Sequence, residues 1–487
     1  MNQGEPKQDE KLSPRLQDTL AMLKERFGDS SDFYSKPATV AGIPCAIVLF
    51  TGISSPEKLW VMALDALNRD PIFPMDGPAL RDRLLCQSVI PTESDPLENR
   101  SELIQKLCGG LSVLLIDGCA GGVAFSTQQM PQRSISTPSG EGDIRGSHEA
   151  FTEQLRSNVS LLRRQFRGGT LAAEIAVADT RAKTEYCLCY DKELASPETV
   201  AYLKKKLASV NIPVLLDSSY FASFLKRDTL NLFPAAAYTE RPATACARLC
   251  EGKLVVLVAG SPFAMVVPSF FSENFETLDD YSSGAVFSGL IRILKYIAFI
   301  LSVFGPAFYL LAVSFAPEII PVQLLAKLAQ AEADTPLPLF FEMLGVTLLL
   351  EIVREAGLRA PKPIGNTVSL VGALIIGETA VSSGIVSVPV LTMAAASTVS
   401  TLAVPALYEQ SILFRFIELL LVGLAGMPGF ACGAILILAM ACGVAPFGSA
   451  YLYPLAPLSK VTWRDGLVRS IWSSLARKGY VVGHGEE

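Results

Sequence analysis

The stretch "LVGALIIGETAVSSGIVSVPVL" runs from Leu370 to Leu391 and is apolar enough to lie in a lipid bilayer, yet Glu378 sits inside it. A carboxylate at mid-membrane costs about 2.5–3.5 kcal/mol on insertion scales. It must therefore be protonated, bonded to a neighbouring helix, or facing water. Ser382, Ser383, Ser397 and Thr398 are candidate bonding partners. Two readings stay open, a structural bond and a water-filled or proton-sensitive path.

Working outward, the chain from Phe287 to Phe447 reads as membrane, with four to six apolar segments. The first, from about Leu294 to Phe315, is long enough to cross a core of about 30 Å. "PLFFEMLGVTLLLEIV" is shorter and carries Glu342 and Glu351, two further intramembrane or pore candidates near an interface. Segments at 368–385, 386–408, 412–424 and 429–444 follow, the last two joined by "AGMPG". Gly429 and Gly433 make a GxxxG step of the kind that lets helices pack closely in lipid. Arg354, Arg359 and Lys362 in "REAGLRAPKP", and Lys460, Arg464, Arg469, Arg477 and Lys478 in the tail, place both regions on the cytoplasmic side. With both termini cytosolic the number of crossings is even. Six is preferred, and four with a re-entrant pair is the alternative.

The first half has a different texture. Its opening, "MNQGEPKQDEKLSPRLQDTLAMLKERFGDSSD", is polar and lacks the apolar core of a secretory signal, so this half is expected in the cytosol. Two α/β units of similar size are readable. The first has strands in "ATVAGIPCAIVLFTG" and "LSVLLIDGCAGGVAFS" and helical periodicity in "PRLQDTLAMLKERF" and "SPEKLWVMALDALN". In the second, "TLAAEIAVAD", "TEYCLCYD" and "IPVLLDS" read as strands, and "LVVLVAGSPFAMVVP" as a hairpin. "SPETVAYLKKKLASV" and "ERPATACARLCEG" read as helices. The expected fold is an α/β N-terminal region of two subdomains followed by an α-helical polytopic membrane domain. Its parts are an N-terminal segment (1–30), a first subdomain (31–127), a linker (128–146), a second subdomain (147–283), the membrane domain (287–447) and a basic cytosolic tail (448–487).

Composition excludes several classes of function. Two histidines in 487 residues rule out His-based triads and multi-His metal sites, and no GxGxxG after a strand, P-loop or GxSxG is present. No enzyme, cofactor or metal is expected. A net charge of −6 without a basic tract gives no footprint for nucleic acid. The ten cysteines are scattered and read as small buried apolar residues.

Longer strings carry a resemblance. "DIRGSHEAFTEQLRSNVSLLRRQFR" (143–167), "YTERPATACARLCEGKLVVLVAGSPFAMVVP" (238–268), "REAGLRAPKPIGNTVSLVGALIIGETAV" (354–381) and "PFGSAYLYPLAPL" (446–458) resemble, in order and spacing, the GerA family, the A subunits of bacterial spore germinant receptors. Arg145, Gly146, Glu149 and Phe151 fall on one family motif, and Thr239, Glu240, Arg241 and Pro242 on another. Ala150 stands where the family has Gly, Ala243 and Ala259 where it has Asp, and Glu378 where it often has Gln. The resemblance implies a multi-pass protein of the spore inner membrane, working with a transporter-like B subunit and a lipoprotein C subunit. It implies nutrient-triggered germination through a ring of copies that forms a ligand-gated cation channel. The first motif is expected at subunit contacts, the second in local structure. A helical i, i+4 pair of Arg145 with Glu149 is the plainer alternative for the first. A proton-coupled secondary transporter is the competing reading, as are a scaffold or a SpoVAF-type paralogue beside the dipicolinic-acid channel.

Overall fold

In the computed structural model, residues 10–59, 76–86, 94–128, 146–225, 231–359, 377–453, 455–456, 466 and 469 are described here. The chain divides into two units, one of residues 1–227, 236–268 and 479–487, the other of residues 228–235 and 269–478.

Two five-stranded antiparallel sheets make the first unit. In order along the chain, β1 is Phe33–Val40, β2 Ile43–Phe50, β3 Ser94–Leu97, β4 Ser112–Ile116 and β5 Gly122–Phe125. The second set is β6 Leu171–Val177, β7 Glu185–Asp191, β8 Ala237–Thr239, β9 Leu254–Val258 and β10 Ala264–Val267. Their spatial orders are β1-β2-β4-β5-β3 and β6-β7-β9-β10-β8, the same topology twice. Each sheet is preceded by a helix, α1 (Leu16–Phe27) for the first and Leu155–Gln165 for the second.

Period-2 alternation explains the first core. Ala46, Val48 and Phe50 of β2 face Leu23 and Phe27 of α1 and Leu103 and Leu107 of the helix Arg100–Cys108. Cys45, Ile47 and Leu49 face the other way, toward Leu80 and Leu84 of the helix Gly77–Cys86. The β1–β2 turn is as tight as two residues allow, with Ala41 and Gly42 both at positive φ. In the second sheet, Leu155, Val159 and Leu162 pack with Ala245 and Leu249 of the helix Pro242–Cys250 on Ala173, Cys187, Val255 and Leu257.

The two sheets are joined by an arginine. Arg163 donates from Nε to Asp32 Oδ2 at 2.6 Å, from Nη2 to Asp32 Oδ1 at 2.7 Å and Ser30 Oγ at 3.0 Å, and from Nη1 to Leu171 O at 3.2 Å. Its guanidinium lies 4.1 Å from the centroid of the Phe50 ring. Burial works against the charge, but Asp32 outweighs it and holds the Arg163 pKa above its ordinary value. Alongside, Ser31 N donates to Ala173 O at 2.8 Å and Ile175 N to Ser31 Oγ at 2.9 Å, covering the free edge of β6.

Several expectations need correction. "IPVLLDS" forms no strand, because Pro213 has no N–H for a ladder and Val214 and Leu216 are exposed; its place in the sheet is taken by β8. Of "SPEKLWVMALDALN", residues 56–59 are helical and the remainder lies outside the described residues, as does most of the 128–146 linker. Cys250, Cys432 and Cys442 are exposed rather than buried.

The second unit is helical. Its helices are Leu278–Ser282, α2 (Ala285–Ser314), α3 (Val322–Ala333), α4 (Leu339–Arg359), α5 (Val388–Thr401), α6 (Tyr408–Ala425) and α7 (Met427–Gly443), and residues 377–382 are also helical. α2 is long and apolar enough to cross a membrane. Its Val286, Leu290, Ile293, Ile297 and Ile300 are all exposed, at spacings that draw one apolar stripe. The segment expected as one span at 386–408 is broken. α5 ends at Thr401, and the chain resumes from Pro405 at an angle of 107°, since proline disfavours helix at the residue before it. α3 was not anticipated from the sequence; none of its residues is fully buried. A cluster of Phe233, Phe271, Phe275, Phe299, Phe414 and Tyr451 forms the rest of this core.

Candidate functional site

Pro306 sits inside α2 and has no N–H to give the carbonyl of Ser302 four residues earlier. That carbonyl is used by neighbours instead. Ser397 Oγ of α5 donates to it at 2.9 Å, and Arg415 Nε of α6 at 2.7 Å. Arg415, 0% exposed, also donates to Ser397 O at 3.2 Å, to Thr401 Oγ1, and to Glu351 Oε1 of α4 at 3.0 Å. Glu351 in turn pairs with Arg354 at 2.6 Å, whose guanidinium lies 4.0 Å from the Tyr408 ring centroid. One buried arginine thus ties four helices. Arg354, counted as a loop charge in the sequence, is on α4 and engaged, and Arg469 of the tail is buried, donating to Ser283 O and Tyr281 O.

The remaining carboxylates differ sharply. Glu342, 1% exposed, accepts from Ser387 N at 2.5 Å through Oε1, while its Oε2 has no partner among the described residues. Glu418, 0% exposed, has neither oxygen satisfied there. It lies against α7 where a Cβ on Gly433 would come within 1.7 Å of its Oε2. Glu378 is exposed on the helical residues 377–382. None of its expected partners reaches it. Ser382, Ser383 and Thr398 donate to carbonyls of their own helices, and Ser397 to Ser302. Arg415 and Glu418 were missed by the sequence reading. Both interrupt the apolar "YEQSILFRFIELLLVGLA", the same signal that singled out Glu378.

In the α/β unit the two family motifs meet. Phe151 N donates to Glu240 O and Arg241 Nη1 to Ser147 O, each at 2.7 Å. Glu149 is not helical and accepts from Arg164 and Gln165. Arg145 itself lies outside the described residues. Pro242 opens its helix at the first position, with Arg241 as N-cap. Glu149, Phe151, Thr239, Glu240, Arg241 and Pro242 are buried within the chain, whereas Gly146 is exposed. Between the buried parts of the two motifs, Gly146, Ser147 and His148 are exposed. Among the described residues, no group of three or more His, Cys, Asp or Glu side chains could hold a metal ion.

Residues 21–480 match the model of the Bacillus/Clostridium GerA spore germination protein family, and the chain belongs to that family. It is similar to spore germination protein KA of Bacillus subtilis (31% identical; 95% of this chain, 85% of the relative). It is also similar to the uncharacterized membrane protein YfkQ of the same organism (30%; 99% and 94%). Spore germination protein GerLA of Bacillus cereus is 28% identical over 94% of each chain. A crystal structure of the N-terminal domain of the A subunit of the Bacillus megaterium spore germinant receptor GerK3 aligns with a TM-score of 0.43 and 23% identity, covering 54% of this chain and 99% of that one.

Proposed function

We propose that the chain is the A subunit of a spore germinant receptor and that copies of it form a ring around a cation-conducting pore. In this reading it sits in the spore inner membrane, crosses it six times, keeps both termini in the cytosol, and works with a B subunit and a C subunit. It catalyses no reaction. The subdomains are taken as 31–127 and 147–283, with 128–146 as the linker and 448–487 as a basic cytosolic tail.

The observation that carries the channel reading is the exposure of Glu378 on an apolar stretch. A carboxylate there does not face lipid cheaply, so it faces water or another copy. A ring of such carboxylates around an axis favours cations. The transporter reading would instead use a carboxylate buried between broken helices within one chain, and Glu418, buried on one half of the broken pair α5–α6, is the group that supports it.

Native mass spectrometry of the detergent-purified chain tests the assembly. A closed ring of several copies is expected; a monomer or dimer that persists in mild detergents overturns the channel. In reconstituted vesicles, Glu378→Gln is expected to lower the preference for cations over anions. Unchanged selectivity removes Glu378 from the pore.

A further inference from the structure

Residues 228–235 belong to the helical unit, although the chain on either side, 1–227 and 236–268, belongs to the α/β unit. Residues 231–235, "NLFPA", are held there by three side chains. Asn231 uses both ends of its amide. Its Oδ1 accepts from Phe233 N at 3.1 Å and closes a tight turn, while its Nδ2 donates to Met440 O of α7 at 2.7 Å. Met440 is among the last four residues of α7, whose carbonyls have no partner within the helix. Gln410 Nε2 of α6 donates to Leu232 O at 3.2 Å. Phe233, 1% exposed, sets its ring 5.0 Å from that of Phe414 of α6 and 5.6 Å from that of Tyr451, centroid to centroid. β8 begins two residues past this finger, at Ala237, and pairs with β10.

We infer that the finger at 231–235 transmits motion between the units. A displacement of β8 reaches α6 and α7 through it, and a displacement of either helix returns to β8 by the same route. Two physical facts carry this. The link is covalent and short, since the two residue steps from Ala235 to Ala237 span at most about 7 Å. Little slack is left to absorb movement of either end. The far end is gripped by a buried ring in a close-packed core and by an amide on a helix terminus, so it does not slide freely. The helix it grips, α6, carries Arg415 and Glu418 and follows the break after α5. The mechanical link holds for a channel or a transporter alike. Its consequence, that events in the α/β unit set the state of the helices, rests on the receptor reading.

Hydrogen exchange of the full chain in detergent, read by mass spectrometry, tests the link without any ligand. Asn231→Ala removes the bond to Met440 and should speed exchange in the last turn of α7 about twofold to tenfold, the worth of one hydrogen bond. Asn231→Asp keeps the turn but sets a carboxylate against a helix C-terminus, and should do more. Transmission requires that both variants also speed exchange in β10, in the other unit. Two glycines inserted between Pro234 and Ala235 add about 7 Å of slack. Judged against the insertion alone, Asn231→Ala should then act on α7 and no longer on β10. Gln410→Ala, acting from α6, should repeat the pattern should the Asn231 variants assemble poorly. Exchange in β10 untouched by the Asn231 and Gln410 variants overturns the inference. So does an effect on β10 that survives the insertion, which would mean that another route carries it. In spores the insertion should also blunt nutrient-triggered germination at normal protein level. Coupling seen by exchange with germination undiminished would leave the link standing and count against the receptor reading.

Discussion

Buried charge is handled differently in the two units. In the α/β unit Arg163 finds a bidentate carboxylate, a hydroxyl, a carbonyl and an aromatic face, and Asp32 is engaged at both oxygens. In the helical unit Arg415 is equally well served, but Glu342 and Glu418 keep oxygens without partners among the described residues. A satisfied ion pair fixes one arrangement. A buried orphan in a native protein calls for a ligand, a proton or a second state. The comparison sets a buried ion pair bonded at every oxygen against buried carboxylates that keep oxygens without partners among the described residues.

The largest expected effect tests the bonded pair. Arg163→Ala strands Asp32 at the junction of the two sheets, and breaking a buried pair in this way costs about 3–5 kcal/mol. Thermal unfolding of the α/β unit should report it. Replacing both partners by apolar residues, Arg163→Met with Asp32→Leu, should recover much of the loss. A single mutant within about 1 kcal/mol of wild type, the range of an exposed ion pair, would show that the pair does not lock the sheets.

Second comes the packing of α6 on α7. A Cβ on Gly429 would meet the Leu421 carbonyl carbon and oxygen at 2.6 and 2.0 Å, backbone that has nowhere to go. A Cβ on Gly433 meets the end of the Glu418 side chain, which can rotate away. Gly429→Ala should therefore destabilise by about 1–3 kcal/mol, the range of overpacked cores, and Gly433→Ala by less. Equal losses, read from thermal midpoints in detergent, would mean that the two helices move apart as bodies.

Much of this was legible in the sequence, and the gaps have physical causes. Alternation found the long strands, periodicity the helices Leu16–Phe27, Pro197–Ala208 and Pro242–Cys250, and apolar runs most of the helical unit, but Gly77–Cys86, Arg100–Cys108 and Leu155–Gln165 went unread. The short edge strands β3 and β8 were missed because three or four residues carry too little pattern, and "IPVLLDS" was overread because apolar content stood in for hydrogen-bonding capacity. The twofold repeat of sheet topology lies in pairing order, which no single stretch records. At the site, a carboxylate in an apolar run flagged Glu378, and Glu418 gives the same signal. What the sequence does not carry is that Pro306 frees the Ser302 carbonyl for Arg415. That depends on which helices become neighbours.

Third, and opposite in sign, is Glu418→Met. A buried carboxyl without a hydrogen bond is a cost to folding, and an apolar side chain of similar length removes it. The thermal midpoint should rise, by about 1 kcal/mol or somewhat more in stability. If germination triggering falls while stability rises, Glu418 takes part in triggering. A loss of stability would mean that it is satisfied by water or by another subunit.

The smallest effect returns to the α/β unit, at Asp217. Burial raises its pKa, but hydrogen bonds from Ser261 Oγ at 2.5 Å and Ser219 N at 2.7 Å outweigh that and leave it below the ordinary value. A carboxyl depressed in the folded state stabilises at pH above its unfolded pKa of about 3.9, and that contribution is lost as pH falls through the folded value. Asp217 is partly exposed, so the contribution is screened to under about 1 kcal/mol. Asp217→Asn should lower the unfolding midpoint slightly at pH 7 and match wild type well below pH 4. A difference that persisted in acid would place its origin in packing or in neutral hydrogen bonds, because a protonated Asp and an Asn carry the same charge.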